Sequence, residues 1–473
     1  MKHHPHSLPS SVARADPMAT PGAGMAQPVD AFADREVART GPATISRRRA
    51  LMAMASAGWA AWADPAAASS TGEEFNLWAF GDAHVGRDLL EGRESLAEAL
   101  RQSELGAAAA FAARSPDTLE RARSINVGGN SSSQLSTAER SVVEASARKR
   151  DDPARYTGPS FNWDIAINVG DNSAAEKPPA DPEGEEIVRQ YGALTRHKRE
   201  DIYDLSGNHD RGGCKGSSSE WFEKWVDPMG THTATSGVDH RRRPYPVNGT
   251  WERYSFRVGN ILFLMMSDVV EPTQPCGRDQ MGGNPGGVVR GDTFAWFKKM
   301  ELANERTSII VAAHHYVLRN TTVASGPFEG FEEDDRGNMK PKYHGLKPRG
   351  APEGTSYLYW VNSVRNSTVF EKFLAQRPGR VALWLGGHTH TDPDDRTGGK
   401  SHIETRWGTH FINVSALTRF HGPLSRPMSR LISFANGSDQ LRVRCYLHTD
   451  QHAAQGWYPP AERVLQLPRA FRR

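Results

Sequence analysis

Cysteine is scarce in this chain. Only Cys214, Cys276 and Cys445 occur among 473 residues, and no two are spaced as CxxC. That excludes a disulfide-built scaffold and a CxxC-type metal cluster. Long apolar runs are missing as well: the stretch from Ala50 to Ala63 is mildly apolar but too short to span a bilayer. The chain has no repeat period. Neither sign of charge dominates, with 58 Lys and Arg facing 55 Asp and Glu. Removal of residues 1–63 takes away seven basic and four acidic side chains and leaves the two signs equal. The remainder therefore lacks the broad positive field of a general nucleic-acid binder. What is present is an apolar fraction of 37%, enough for the core of a soluble globular protein.

The first 68 residues stand apart from the rest. Ser46-Arg47-Arg48-Arg49-Ala50-Leu51 resembles the twin-arginine export motif, and small residues at Ala61, Ala63, Ala66 and Ala68 suit signal-peptidase cleavage. The residues ahead of the arginines contain Pro, Ala and His without periodicity and are expected to be disordered. Residues 1–68 are read as a disordered start and export signal for the twin-arginine machinery, and 69–473 as one domain of a periplasmic or secreted protein. In such a protein Cys214 and Cys276, both in Gly-rich loops, are expected to pair. Cys445 lies on the apolar side of Leu441, Val443, Cys445 and Leu447 and is expected to be an inert core thiol.

Short apolar runs punctuate the chain. Phe75 to Phe80, Asp164 to Val169 and Ile202 to Leu205 read as strands, with a helix over Glu185 to Arg196 before the third. Gly259-Asn260 is a two-residue turn between Tyr254–Val258 and Ile261–Ser267, which predicts a hairpin. Asp292 is placed to cap a helix running to Leu302, and Thr368 with Glu371 forms a capping box for another. Strands Ile309 to Ala313 and Val381 to Leu385 follow, then Thr409 to Val414, Arg430 to Phe434 and Leu441 to His448, an antiparallel finish. Polar stretches near 91–160 and 321–356 read as insertions. The alternation predicts a layered α/β sandwich.

Polar clusters follow five of the apolar runs: Asp82-Ala83-His84, Gly170-Asp171-Asn172, Gly207-Asn208-His209-Asp210, His314-His315 and Gly387-His388-Thr389-His390. Side chains just past the carboxyl ends of neighbouring strands converge on one crevice, so five such ends can build one site. Asp, Asn and His supply hard oxygen and borderline nitrogen donors suited to Zn, Mn or Fe. Adjacent residues on an extended segment point opposite ways, so spacing alone does not choose between His314 and His315. The run His240-Arg241-Arg242-Arg243 reads as a solvated loop, and His344 lies in the second insertion.

The ordered set Asp-x-His, Gly-Asp, Gly-Asn-His-Asp, His and Gly-His-x-His resembles the calcineurin-like metallophosphoesterase superfamily between about Phe75 and His390. The resemblance implies a four-layer α/β/β/α sandwich of mixed sheets. It also implies two divalent ions and hydrolysis of phosphate esters, leaning to phosphodiesters, by a metal-bridged hydroxide. By that resemblance Asp82, His84 and His390 would hold one ion, Asn208, His314 and His388 the other, and Asp171 would bridge them. His209 would bind phosphate or protonate the leaving oxygen, with Asp210 orienting its ring, and Arg87 and Arg211 would be further phosphate contacts. Purple acid phosphatases carry a tyrosine three residues after the bridging aspartate; here that residue is Ala174, which argues against a ferric, coloured site. A phosphomonoesterase, a nuclease and a non-catalytic scaffold are the alternative readings.

Overall fold

A computed structural model of the protein describes residues 74–105, 161–174, 179–211, 219–267, 289–315, 331–333, 339–341, 361–388, 390, 393, 403–418, 426–448 and 455–473. All of them lie in the compact unit Ala66–Arg473. In chain order the first half comprises β1 (Glu74–Phe80), α1 (Val85–Leu90), α2 (Ser95–Leu105), β2 (Ile165–Asn168), α3 (Asp181–Tyr191), β3 (Ile202–Asp204), α4 (Glu220–Trp225) and α5 (Thr233–Ser236). There follow β4 (Asn248–Thr250), β5 (Arg253–Val258), β6 (Ile261–Met266), α6 (Gly291–Asn304), β7 (Ile309–His314), β8 (Phe331–Glu333), β9 (Met339–Pro341) and α7 (Val361–Gln376). The chain closes with β10 (Leu383–Gly386), β11 (Ile403–Arg406), β12 (Thr409–Asn413), β13 (Met428–Ala435), β14 (Gln440–Leu447), β15 (Gly456–Trp457) and β16 (Arg463–Gln466).

Two seven-stranded sheets result. One runs β15-β14-β13-β1-β2-β3 with β16 also on β14; the other runs β11-β12-β10-β7-β6-β5-β4. Both are mixed. β1, β2 and β3 are parallel to one another, as are β6, β7, β10 and β12, whereas β13 runs antiparallel to β1 and to β14. The antiparallel finish expected for the last strands holds for β13 and β14, while β12 joins the other sheet.

Alternation along each strand explains the layering. In β1, Phe75, Leu77 and Ala79 enter the core between the sheets with Phe263, Val311 and Leu385, while Trp78 and Phe80 face the other way. That outer face packs on Leu89, Leu100, Ile187 and Phe222 of α1, α2, α3 and α4. The outer face of the second sheet, with Leu262, Leu264 and Trp384, packs on Phe297 of α6 and Phe370 and Leu374 of α7. The order is therefore helix, sheet, sheet, helix. Strands covered on both faces are apolar throughout, which is why β6 reads Ile-Leu-Phe-Leu-Met-Met without alternation. At the edge strand β3 the carbonyl of Ile202 accepts hydrogen bonds from Arg199 and Arg243 side chains, so buried backbone at the sheet margin is satisfied by guanidinium groups.

The Gly259-Asn260 hairpin forms as expected, with Val258 opposite Ile261. Three expected helix starts move. α3 begins at Asp181 with Pro182 in its first turn, where a missing N–H costs nothing. α6 begins at Gly291 after Arg290, so Asp292 lies within the first turn instead of capping it. α7 begins at Val361, which places Thr368 and Glu371 inside the helix, because nothing between Val361 and Thr368 breaks it. Part of the first insertion is structural: residues 95–105 form α2, with Leu96 and Leu100 in the core. Within the second, β8 and β9 pair antiparallel. Arg243 is buried, and its guanidinium binds the carbonyls of Glu200, Ile202 and Pro228, so the basic run 240–243 is only partly a solvated loop. Cys445 is buried beside Met428, with sulfur atoms 3.7 Å apart. Cys214, Cys276 and His344 lie outside the described residues.

Candidate metal centre

The parallel strands β1, β2, β3, β7 and β10 deliver their C-terminal residues to one end of the sandwich. There the structure brings together Asp82, His84 and His390, then His84, Asp171 and His209, then Asp171, His315 and His388. Within each group the donor atoms lie within 4.8 Å of one another. His390 Nε2 is 3.4 Å from Asp82 Oδ1, His84 Nε2 is 4.0 Å from Asp82 Oδ1 and 3.8 Å from Asp171 Oδ2, and His315 Nε2 is 3.2 Å from Asp171 Oδ2. All but half-buried His209 are buried.

The backbone that presents these groups is unusual. Asp82, His84, Asp171 and His388 have φ of 53°, 43°, 55° and 66°, in the left-handed region that side chains with a Cβ seldom adopt. Such strain persists only where surroundings enforce it. Here the loops enforce it through one another. Asp82, His84 and Val85 donate their N–H groups to the carbonyls of Gly170, Asp171 and Asn172. The His388 N–H donates to Asp82 Oδ1 at 3.0 Å, and the His209 N–H to Asp171 Oδ1 at 2.9 Å. Two glycines make room: a Cβ on Gly207 would overlap the Asp171 carboxylate, and one on Gly387 the Asp82 carboxylate.

The loop around Asp171 also sets imidazole tautomers. Backbone carbonyls only accept, so His84 Nδ1 donates to Ser173 O at 3.1 Å and His315 Nδ1 to Val169 O at 2.8 Å. In each ring Nε2 then faces the carboxylates, the arrangement that metal-binding histidines use.

Burial dominates the electrostatics. It raises the Asp82 pKa, partly opposed by His390. Burial would raise Asp171 too, but the imidazoles of His315, His209 and His84 outweigh it and hold that carboxyl well below its usual range. His84 and His388 are pushed well below the ordinary imidazole value by burial, reinforced by His209 and His315 respectively. His315 would be lowered by burial, yet the Asp171 carboxylate against it pushes it up to about 9. Burial, with the Asp171 charge adding to it, raises Asp210 to about 7.

Two expectations need correction. His315, not His314, joins the donor group. Along β7 the odd-numbered Ile309, Val311 and Ala313 face the inter-sheet core and the even-numbered Ile310 and Ala312 face the helices, so parity carries His314 to the outer side and His315 inward. Asp210 does not orient the His209 ring. Its oxygens accept the N–H groups of Ser173 and Gly207, each at 2.9 Å, and among the described residues no hydrogen bond joins it to His209. It clamps two loops instead. Arg87 pairs with Glu91 at 3.3 Å, and Arg211 stacks over Trp251 at 5.5 Å from the ring centroid. The His209 ring lies perpendicular to His84, 4.8 Å between centroids.

A pair of divalent ions fits these residues. The set mixes carboxylate oxygens with imidazole nitrogens, as Zn, Mn and Fe sites do. Asn208 Oδ1, on the residue between Gly207 and His209, is buried and accepts no hydrogen bond among the described residues. A buried amide oxygen without a donor is costly unless something else satisfies it. Asp82, His84 and His390 would hold one ion, His315, His388 and Asn208 the other, and Asp171, grouped with His84 and with His315 and His388, would be shared between them.

No protein-family model matches the chain, and no curated protein matches it. Thirteen chains of solved structures do. One is a conserved uncharacterized protein of Streptococcus pneumoniae, described as a predicted phosphoesterase. It is 10% identical with a TM-score of 0.27, over 83% of this chain and 98% of that one. Another is GAP50, described as the anchor in the inner membrane complex of Plasmodium, 7% identical with a TM-score of 0.37, over 84% and 90%. The chain is similar to each over most of its own length.

Proposed function

We propose that this chain is a phosphoric ester hydrolase with two divalent ions, acting on phosphodiesters in preference to monoesters, and exported by the twin-arginine route. The observation that carries the hydrolase reading is the shared carboxylate: Asp171 belongs to two donor groups, one with buried His315 and His388 and one with buried His84 and half-buried His209, and His84 in turn groups with Asp82 and His390. Ions bound there supply neutralisation of phosphoryl charge and a nucleophile at neutral pH. The chain's own residues do the rest. Asp171 sets the spacing of the two groups, Ser173 and Val169 hold the facing imidazoles in one tautomer, and His209 can reach an ester oxygen as it departs. The preference for diesters rests on the sequence resemblance and on Ala174, and export on Arg47, Arg48 and Arg49.

A panel of mono-, di- and cyclic phosphoesters assayed with Mn²⁺, Zn²⁺ and Fe²⁺ tests the activity; no turnover with any of them leaves a scaffold as the reading. Fractionation of cells with Arg48→Lys and Arg49→Lys tests export. The role of His209 has its own test. An activated nitrophenyl ester needs little help in leaving, so His209→Ala should slow an alkyl ester about a hundred to ten thousand fold more than a nitrophenyl one, with metal content unchanged. Equal slowing of both esters would mean that His209 binds phosphate only.

A further inference from the structure

His84 ends the β1 loop and starts α1, and its ring is turned toward Asp82 and Asp171, so it gives α1 no side-chain cap. The first-turn N–H groups of this six-residue helix, which begins in left-handed backbone, must then find acceptors elsewhere. Val85 N–H is taken by the Asn172 carbonyl. Gly86 N–H is taken by a carboxylate from another helix: Glu183, the third residue of α3, accepts it at Oε1 at 2.8 Å. The same oxygen accepts Ala174 N–H at 2.9 Å, and Oε2 accepts the Ser173 hydroxyl at 2.8 Å. Glu183 is 3% exposed. One side chain thus ties the residue two past His84 to the residue whose carbonyl fixes the His84 tautomer.

We propose that Glu183 is a positioning residue for the metal seat of Asp82, His84 and His390, acting as the missing cap of α1 and as the anchor of Ser173; this rests on the two-ion reading. The other seat does not depend on it. The loop carrying Asp171 is separately held by Asp210, through Ser173 N–H and Gly207 N–H, and by Asn168, whose amide donates to Asn172 Oδ1 at 2.8 Å. Loss of Glu183 frees the α1 end and the Ser173 carbonyl and leaves Asp171, His315 and His388 in place. Two of the three bonds need only an acceptor oxygen at Oε1. Glutamine provides that oxygen, and its amide can donate to the Ser173 hydroxyl, so position and not charge is the requirement.

The test is Zn²⁺ titrated into metal-free protein against a chromophoric chelator, with ¹⁵N-histidine spectra of the metal-free state. Wild type is expected to take two ions. Glu183→Ala is expected to keep one at wild-type affinity and to weaken the other roughly ten- to a hundred-fold, the usual effect of removing a partner that orients a ligand. Glu183→Gln should restore the second ion. His84 should show its Nδ1–H tautomer in wild type and Glu183→Gln, and a mixture in Glu183→Ala. If Glu183→Ala does not fold, Glu183→Asp withdraws the oxygens by one methylene and should show the same split. Equal weakening of both seats, no weakening, or a glutamine variant behaving like alanine overturns the proposal while wild type still binds two ions. A wild type that binds no Zn²⁺ overturns the two-ion reading itself.

Discussion

Asp82 at the end of β1 and Asp171 at the end of β2 are built by the same device. Each ends a buried parallel strand, each has left-handed backbone, and each lays its carboxylate into the space left open by a glycine on another loop, Gly387 for Asp82 and Gly207 for Asp171. Each accepts an N–H from that second loop, from His388 and His209 respectively. They differ in how widely they are shared. Asp82 meets imidazoles of one donor group, whereas Asp171 faces His84 on one side and His315 on the other. Burial therefore wins at Asp82 and raises its pKa, while at Asp171 three imidazoles win and lower it. One local construction thus yields two electrostatic outcomes, set by how many imidazoles surround each carboxylate.

Removing each carboxylate should separate the two aspartates most strongly. Asp171→Ala should lose both ions and Asp82→Ala one, read by elemental analysis; two ions retained without Asp171 would remove it from the shared position. Next comes the choice between neighbouring histidines. His315→Ala should lose the ion of the His315 and His388 seat, while His314→Ala should keep both and lower stability by about 0.5–3 kcal/mol, as ordinary buried substitutions do. Metal loss in His314→Ala alone would reverse the assignment.

The glycines probe the device itself. Gly207→Ala and Gly387→Ala each push a methyl into a carboxylate, and overpacking of that kind costs about 1–3 kcal/mol. Urea unfolding of the metal-free proteins should show both costs, and only Gly207→Ala should also weaken both ions.

The smallest effect uses a carboxylate with no metal role. Burial would raise Glu104, but hydrogen bonds from His197 and Thr195 outweigh it and hold it at about 2, below its ordinary 4.5. Because the folded pKa is depressed, this contribution is complete above pH 4.5 and disappears as pH falls toward 2. Glu104→Gln should therefore destabilise the protein at pH 6 and do so much less at pH 3. An equal loss at both pH values would show that packing, not charge, holds the 195–197 loop.

Much of this molecule was legible in its residues. The apolar runs located β1, β2, β3, β6, β7 and β10 to within a residue or two, because strands buried on both faces must be apolar. Gly259-Asn260 marked a hairpin because few residue pairs suit a two-residue turn. The Asp, Asn and His clusters after those runs identified the strand ends that converge. The helix start at Val361 was misread because capping signals are short and recur inside helices, as Thr368 and Glu371 do.

Other features depended on neighbours that sequence order does not reveal. β7 is apolar on both faces, so its pattern carries no parity, and only the packed sheet turns His315 inward and His314 out. Asp210 finds Ser173 across 37 positions and Glu183 finds Gly86 across 97; a carboxylate's partner is set by which loops lie beside it once the sheet order is fixed. Which segments bury and which residues have donor chemistry follow from residue order, because hydrophobicity and ligand type are local. Tertiary structure alone decided which side chain faces which, because hydrogen bonds act over about 3 Å and only the folded chain brings distant loops that close.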